Sequence, residues 1–279
     1  MKKFQLFCIM MLMHSFVSYG QETRKILEEG QLLYRLEKAS WYGTDDFLVR
    51  FPDKRDSIGG YLSYIGDKNR VVNIFFSKNN PDVILVRYSF DSIPVAVPLE
   101  VDSVNRTASQ IEKDLIDMRQ DAVKQVVQNK DDFFSFYKNT SLNFIPLISE
   151  KERKVFILTG PQIPGVVIIG NDYVLTYDKK NKFKQREKIH SSILQFSYAS
   201  EDPENKLTST YHSHVLSDCI SSTDICTLLL YKEFVEWKQH YVVSKKYVSI
   251  FDLEKENLVI MTKEAWDKIG QTTEEKLSE

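Results

Sequence analysis

One stretch constrains the fold more than any other. At residues 109–126, Ser109-Gln110-Ile111-Glu112 has the spacing of a capping box, and Ile111, Leu115, Met118, Ala122 and Val126 recur at intervals of three and four. That period belongs to an amphipathic helix and predicts one over roughly 107–130. On either side, apolar residues instead come in short runs of strand length. Upstream these are Phe47–Val49, Tyr61–Tyr64, Val71–Phe76 and Val83–Tyr88, with turns at Gly59-Gly60, Gly66-Asp67 and Asn79-Asn80-Pro81. Downstream come Lys154–Thr159, Gly165–Ile169, Tyr173–Tyr177 and Ser192–Tyr198, then a polar loop at Ser200–Asn205. Strands on both sides of one strong helix give an α+β chain. The expected division is an antiparallel β-rich domain over 21–105, a connecting helix over 106–138 and a second domain over 139–279, with a short amphipathic helix at 24–37.

The first twenty residues have a different logic. Lys2 and Lys3 precede the apolar run Phe4–Met13, and Ser18-Tyr19-Gly20 stand just before Gln21. This is the layout of a secretory signal peptide cleaved near Gly20/Gln21, and the apolar run is shorter than the ~20 residues of a membrane span. The expectation is an exported protein, periplasmic or extracellular, with no transmembrane segment in the mature chain. Cleavage removes two lysines and no acid, taking the formal charge from -2 to -4. With no block of like charge, nothing favours a nucleic-acid partner. Only Cys219 and Cys226 then remain, enough for one bridge, so stability rests on packing.

The chemistry concentrates in Tyr211-His212-Ser213-His214 and Ser221-Ser222-Thr223-Asp224. Alternate strand positions share a face, so His212 and His214 can turn their imidazoles toward one point. Ser221 or Ser222 suits a helix N-cap, and the residues from Ile225 to Trp237 predict a helix apolar almost all round. Asp224 then lies in the first turn, where the helix dipole also favours a carboxylate with no metal at all. Two imidazoles and one carboxylate leave a position for water, as in a catalytic zinc site. Neither a phosphate-binding Gly-rich loop nor a Gly-x-Ser-x-Gly elbow occurs.

These residues resemble the signature of the JAMM metallopeptidases, also called JAB or MPN-plus domains: an upstream glutamate, then His-x-His-Pro and Ser-x-x-Asp. The resemblance covers roughly residues 145–270. It implies a domain with a mixed sheet and a Zn2+ ion held by His212, His214 and Asp224. It further implies Ser221 as donor to the developing oxyanion and Glu152, ahead of the strand ending Leu158-Thr159-Gly160, as general base. Val215 stands where the family has Pro, and six residues separate His214 from Ser221 where the family has seven.

The expected function is an exported zinc-dependent hydrolase of a peptide or isopeptide bond, acting on a peptide or protein of the envelope or exterior. The alternative is a non-catalytic envelope binding or structural protein of the same fold. Separately, Trp41-Tyr42-Gly43 with Tyr61 and Tyr64 concentrates aromatic rings that suit either a binding face or a core.

Overall fold

The computed structural model describes the backbone of residues 2–198 and 207–278 and the side chains of residues 20–198 and 207–271. The polar loop at Ser200–Asn205 lies outside the described residues. Contacts divide the chain into a larger unit, Leu32–Ala199, and a smaller one made of Met1–Gln31 and Ser200–Glu279. The sequence had suggested breaks near 105 and 138.

The larger unit opens with residues 32–50 of α1 (Lys2–Arg50) and an antiparallel sheet in the order β1 (Ile58–Ile65), β2 (Val71–Ser77), β3 (Val83–Phe90), β4 (Glu100–Asp102), with β5 (Arg106–Thr107) paired to β3. Residues Val71 to Phe76 are buried without alternation, which means that both faces of this sheet are covered. Val72, Ile74 and Phe76 enter a core with α2 (Gln110–Gln128). Phe75 points the other way and stacks on Phe47 of α1, ring centroids 4.3 Å apart. Phe47-Leu48-Val49 is therefore the end of a helix and not a strand. Only Phe47 of the three is buried, in line with Leu33 and Leu36 on the helix face that covers the sheet. Gly59-Gly60 is likewise not a turn: it lies inside β1, at a break in its register with β2.

The strongest sequence feature forms as read. The Ser109–Glu112 capping box closes at the start of α2, and Leu115, Met118, Ala122 and Val126 face inward. Ile111 is exposed, and Ile116 and Glu112 are buried in its stead. Each fully buried Leu or Met contributes about 1.5–3 kcal/mol by leaving water. Buried Glu112 is tolerated because every lone pair is used. Arg106 donates to both carboxylate oxygens at 2.7 and 2.8 Å, Tyr64 Oη donates at 2.9 Å, and the Ser109 amide donates at 2.8 Å. Burial alone would raise its pKa; these donors outweigh that and bring it down to about 2.

α2 shares its core with Val155, Ile157 and Leu175 of a second antiparallel sheet. That sheet runs in the order β10 (Phe183–Lys188), β9 (Tyr173–Tyr177), β7 (Arg153–Pro161), β6 (Thr140–Ile148). β6 carries Pro146, which a central strand would reject, and it occupies the sheet's edge. β8 (Val166–Gly170) pairs with β11 (Ile193–Ser197). Gly170 closes this pair at φ +100°, where a Cβ would lie 2.4 Å from the Ser192 carbonyl oxygen.

The smaller unit contains β12 (Ser209–Ser213), α3 (Ser222–Tyr231), β13 (Gln239–Val243), β14 (Tyr247–Asp252), β15 (Asn257–Thr262) and α4 (Lys263–Ser278). Its four strands lie in sequence order, β12 parallel to β13 and the others antiparallel. This is a mixed sheet, and the α+β class expected from the sequence holds for the chain. α3 is almost wholly buried but ends at Tyr231. Phe234 lies beyond it and is exposed, while Trp237 is buried. Residues 20–31 of α1 pack on α3: Ser222 donates to Glu29 at 2.9 Å, and a Cβ on Gly30 would meet Ile225 Cβ at 2.6 Å. Among the described residues no helix is long and apolar enough to cross a membrane.

Candidate metal centre

β12 alternates strictly, with Thr210 and His212 buried between exposed neighbours, and His214 continues the buried face just past the strand end. The His214 amide extends the ladder by donating to the Val243 carbonyl at 3.0 Å. Asp224 comes from the first turn of α3 and is fully buried. Ser221 caps that helix: its hydroxyl accepts from the Asp224 amide at 3.0 Å, while its own amide and hydroxyl donate to Asp224 Oδ2 at 2.9 and 2.8 Å. The Ser-x-x-Asp spacing is thus a capping box in its own right, and the same carboxylate also faces the histidines.

His214 Nε2 lies 3.1 Å from Asp224 Oδ2, and His212 Nε2 lies 3.7 Å from Asp224 Oδ1. The far side of each ring fixes what Nε2 can be. His214 Nδ1 sits 2.8 Å from the Cys219 carbonyl oxygen, which can only accept, so Nδ1 carries a hydrogen. Ser217 Oγ donates to the same carbonyl and lies 2.7 Å from Nδ1. In neutral His214, Nε2 therefore presents a lone pair to a carboxylate. Two acceptors at 3.1 Å hold together only with a proton, on the ring or on the carboxyl, or a metal ion between them.

Donors about 2.0–2.2 Å from a tetrahedral zinc lie roughly 3.3–3.6 Å apart. The two observed separations fall on either side of that range. Two imidazole nitrogens and a carboxylate are also the donor chemistry that zinc takes. The residues fit the ion, and the buried group of His212, His214 and Asp224 can hold a metal.

A third histidine, which the sequence reading passed over, completes the arrangement. His240 on β13 stands opposite Thr210 in the parallel register and is fully buried. Its Nε2 is 2.8 Å from His212 Nδ1, and its Nδ1 is 2.7 Å from Thr210 Oγ1. With a ligand on His212 Nε2, the tautomers follow: His212 Nδ1–H donates to His240 Nε2, and His240 Nδ1–H donates to Thr210. Burial, reinforced by the adjacent His212, lowers the His240 pKa to about 3, so the ring is a neutral hydrogen-bonding strut. Such partners orient ligand histidines and raise their basicity. A single histidine in an apolar strand carries no spacing signal; only the β12–β13 register could have revealed it.

The chain matches no family model, no curated protein and no solved structure. The remaining expected site residues are placed as follows. Ser221 adjoins the cluster, its hydroxyl engaged in the helix cap. Glu152 belongs to the larger unit, at the β6–β7 turn. Its carboxylate is 2.6 Å from Lys154 Nζ, on an open cleft that also carries Lys179, Lys180 and Lys182. Cys219 and Cys226 are not bridged, and it is the Cys219 backbone carbonyl that serves the site. His190, also in the larger unit, is buried with Nδ1 3.4 Å from Asp172 Oδ2.

Proposed function

We propose that this chain is an exported zinc-dependent hydrolase of a peptide or isopeptide bond, with the metal held by His212, His214 and Asp224. The observation that carries the reading is the Nε2 lone pair of His214 facing a buried carboxylate at 3.1 Å, with the opposite nitrogen tied to the Cys219 carbonyl. A zinc ion in a set of two imidazoles and one carboxylate supplies Lewis acidity and activates water at neutral pH. The protein's part is orientation. Thr210 and His240 hold the His212 ring, the 217–219 turn holds His214, and the α3 cap holds Asp224. Ser221 is the hydroxyl that the resemblance offers an oxyanion, and to serve it would have to leave Asp224. That engagement favours a second reading, a metal-stabilised binding protein without turnover. Export rests on the Lys2-Lys3 leader and the Ser18–Gly20 cleavage pattern.

Elemental analysis of mature protein beginning at Gln21, beside the His212→Ala/His214→Ala double variant, tests the metal. About one zinc per chain, lost in the variant, is expected; wild-type protein that cannot be loaded refutes both readings. Peptidase activity abolished by Asp224→Ala then separates hydrolase from binding protein, and Glu152→Gln tests the general base that the resemblance implies.

A further inference from the structure

Within the larger unit, one face of α1 turns polar where it should be apolar. Glu37, Ser40, Trp41, Thr44 and Asp45 follow the spacing of a single helical stripe and line a cavity of about 260 Å³. Tyr61 of β1 and Asn143 of β6 close it. No aliphatic side chain lines it. A cavity of this volume holds roughly nine waters' worth of liquid, the scale of one sugar ring with its hydroxyls.

The lining discriminates among ligand classes. Asp45 repels an anion, and buried Glu37 offers one no positive charge. A cation is disfavoured because a guanidinium, that of Arg119, already lies 5.7 Å from the Tyr61 ring centroid and acts on Glu37. An apolar ligand would set no hydrogen-bonding group against a lining of carboxyl, amide and hydroxyl side chains. A neutral polyol with an apolar ring face suits every wall. Its C–H face would rest on Trp41 or Tyr61, and its hydroxyls would meet Asn143 and the carboxyl groups of Glu37 and Asp45. Burial raises Glu37 to about 7, against the pull of the Trp41 indole and Arg119, so its carboxyl can donate as well as accept.

We propose that this cavity binds a single neutral pyranose, either free or as the terminal residue of a glycan. The test is saturation-transfer NMR and tryptophan fluorescence on the full chain. The probes are glucose, galactose, mannose and N-acetylglucosamine with their β-linked disaccharides, and arginine and acetate serve as charge controls. At least one sugar is expected to bind saturably. Trp41→Ala should weaken it at least tenfold, and Asn143→Ala, at the cavity edge, should weaken it severalfold in a protein that keeps its fold. A monosaccharide that binds as well as its disaccharide marks a free sugar; preference for the disaccharide marks a glycan end. No saturable sugar on folded wild-type protein, binding unchanged in both variants, or binding by the charge controls alone overturns the proposal.

Discussion

His240→Ala removes a side chain that makes two hydrogen bonds in a fully buried position, so its cost can be worked from the partners it abandons. Thr210 Oγ1 and His212 Nδ1 would both be stranded. Each buried polar group left without a partner costs about 1–3 kcal/mol, giving about 2–6 kcal/mol in all before any cost of the void. Thr210→Val strands only His240 Nδ1, for about 1–3 kcal/mol. In the double variant only His212 Nδ1 is stranded, so its loss should fall short of the sum by about 2–6 kcal/mol, the cost of two stranded groups. Urea denaturation of the four proteins in chelator measures this for the metal-free chain. A competitive zinc titration should then show His240→Ala binding about 10–100-fold more weakly, as loss of a ligand's outer hydrogen bond does. Additivity within about 0.5 kcal/mol, together with unchanged zinc affinity, would refute the Thr210–His240–His212 chain as the support of the site.

Perturbations at two further positions test the rest of the fold. Glu112→Ala should cost about 3 kcal/mol, the low end for a broken buried pair, because the Arg106 side chain keeps 31% of its exposure. Since the folded pKa of Glu112 lies near 2 against an ordinary 4.5, its stabilisation is complete above pH 4.5 and is lost as pH falls toward 2; Glu112→Gln should flatten that slope in acid denaturation. Gly30→Val places a branched Cβ 2.6 Å from Ile225 Cβ and 2.9 Å from the Ser222 carbonyl oxygen, and should lower stability by about 1–3 kcal/mol in thermal or urea unfolding.

Features whose cause is local were legible in the sequence. The α2 capping box, its inward stripe, the α3 cap at Ser221 and the strands at Val71, Val83 and Tyr173 all rest on neighbours within a few residues. His212 and His214 could be placed on one face because strand alternation demands it. Features that depend on distant partners were not. Phe47 reads as β-prone until the covered second face of the β1–β4 sheet is known, and β6 is obscured by a proline that only an edge position permits. His240 acquires a meaning only through pairing across the α3 crossover. The assignment of Glu152 to a different unit from His212 and His214 likewise follows from long-range packing, which no spacing along the chain encodes.

Glu29 and Gly30 rest on α3 in a unit whose other residues begin at Ser200. A ribosome delivers the first of these long before the second. During synthesis the face of α1 that carries Glu29 and Gly30 has no partner while the whole of Leu32–Ala199 is made, and it can dock only once α3 follows. The polar surface of that segment, with Arg24, Glu28 and Glu29 beside so small a docking residue as Gly30, is what such a wait requires: a helix soluble enough to stand alone and shaped to accept its partner last.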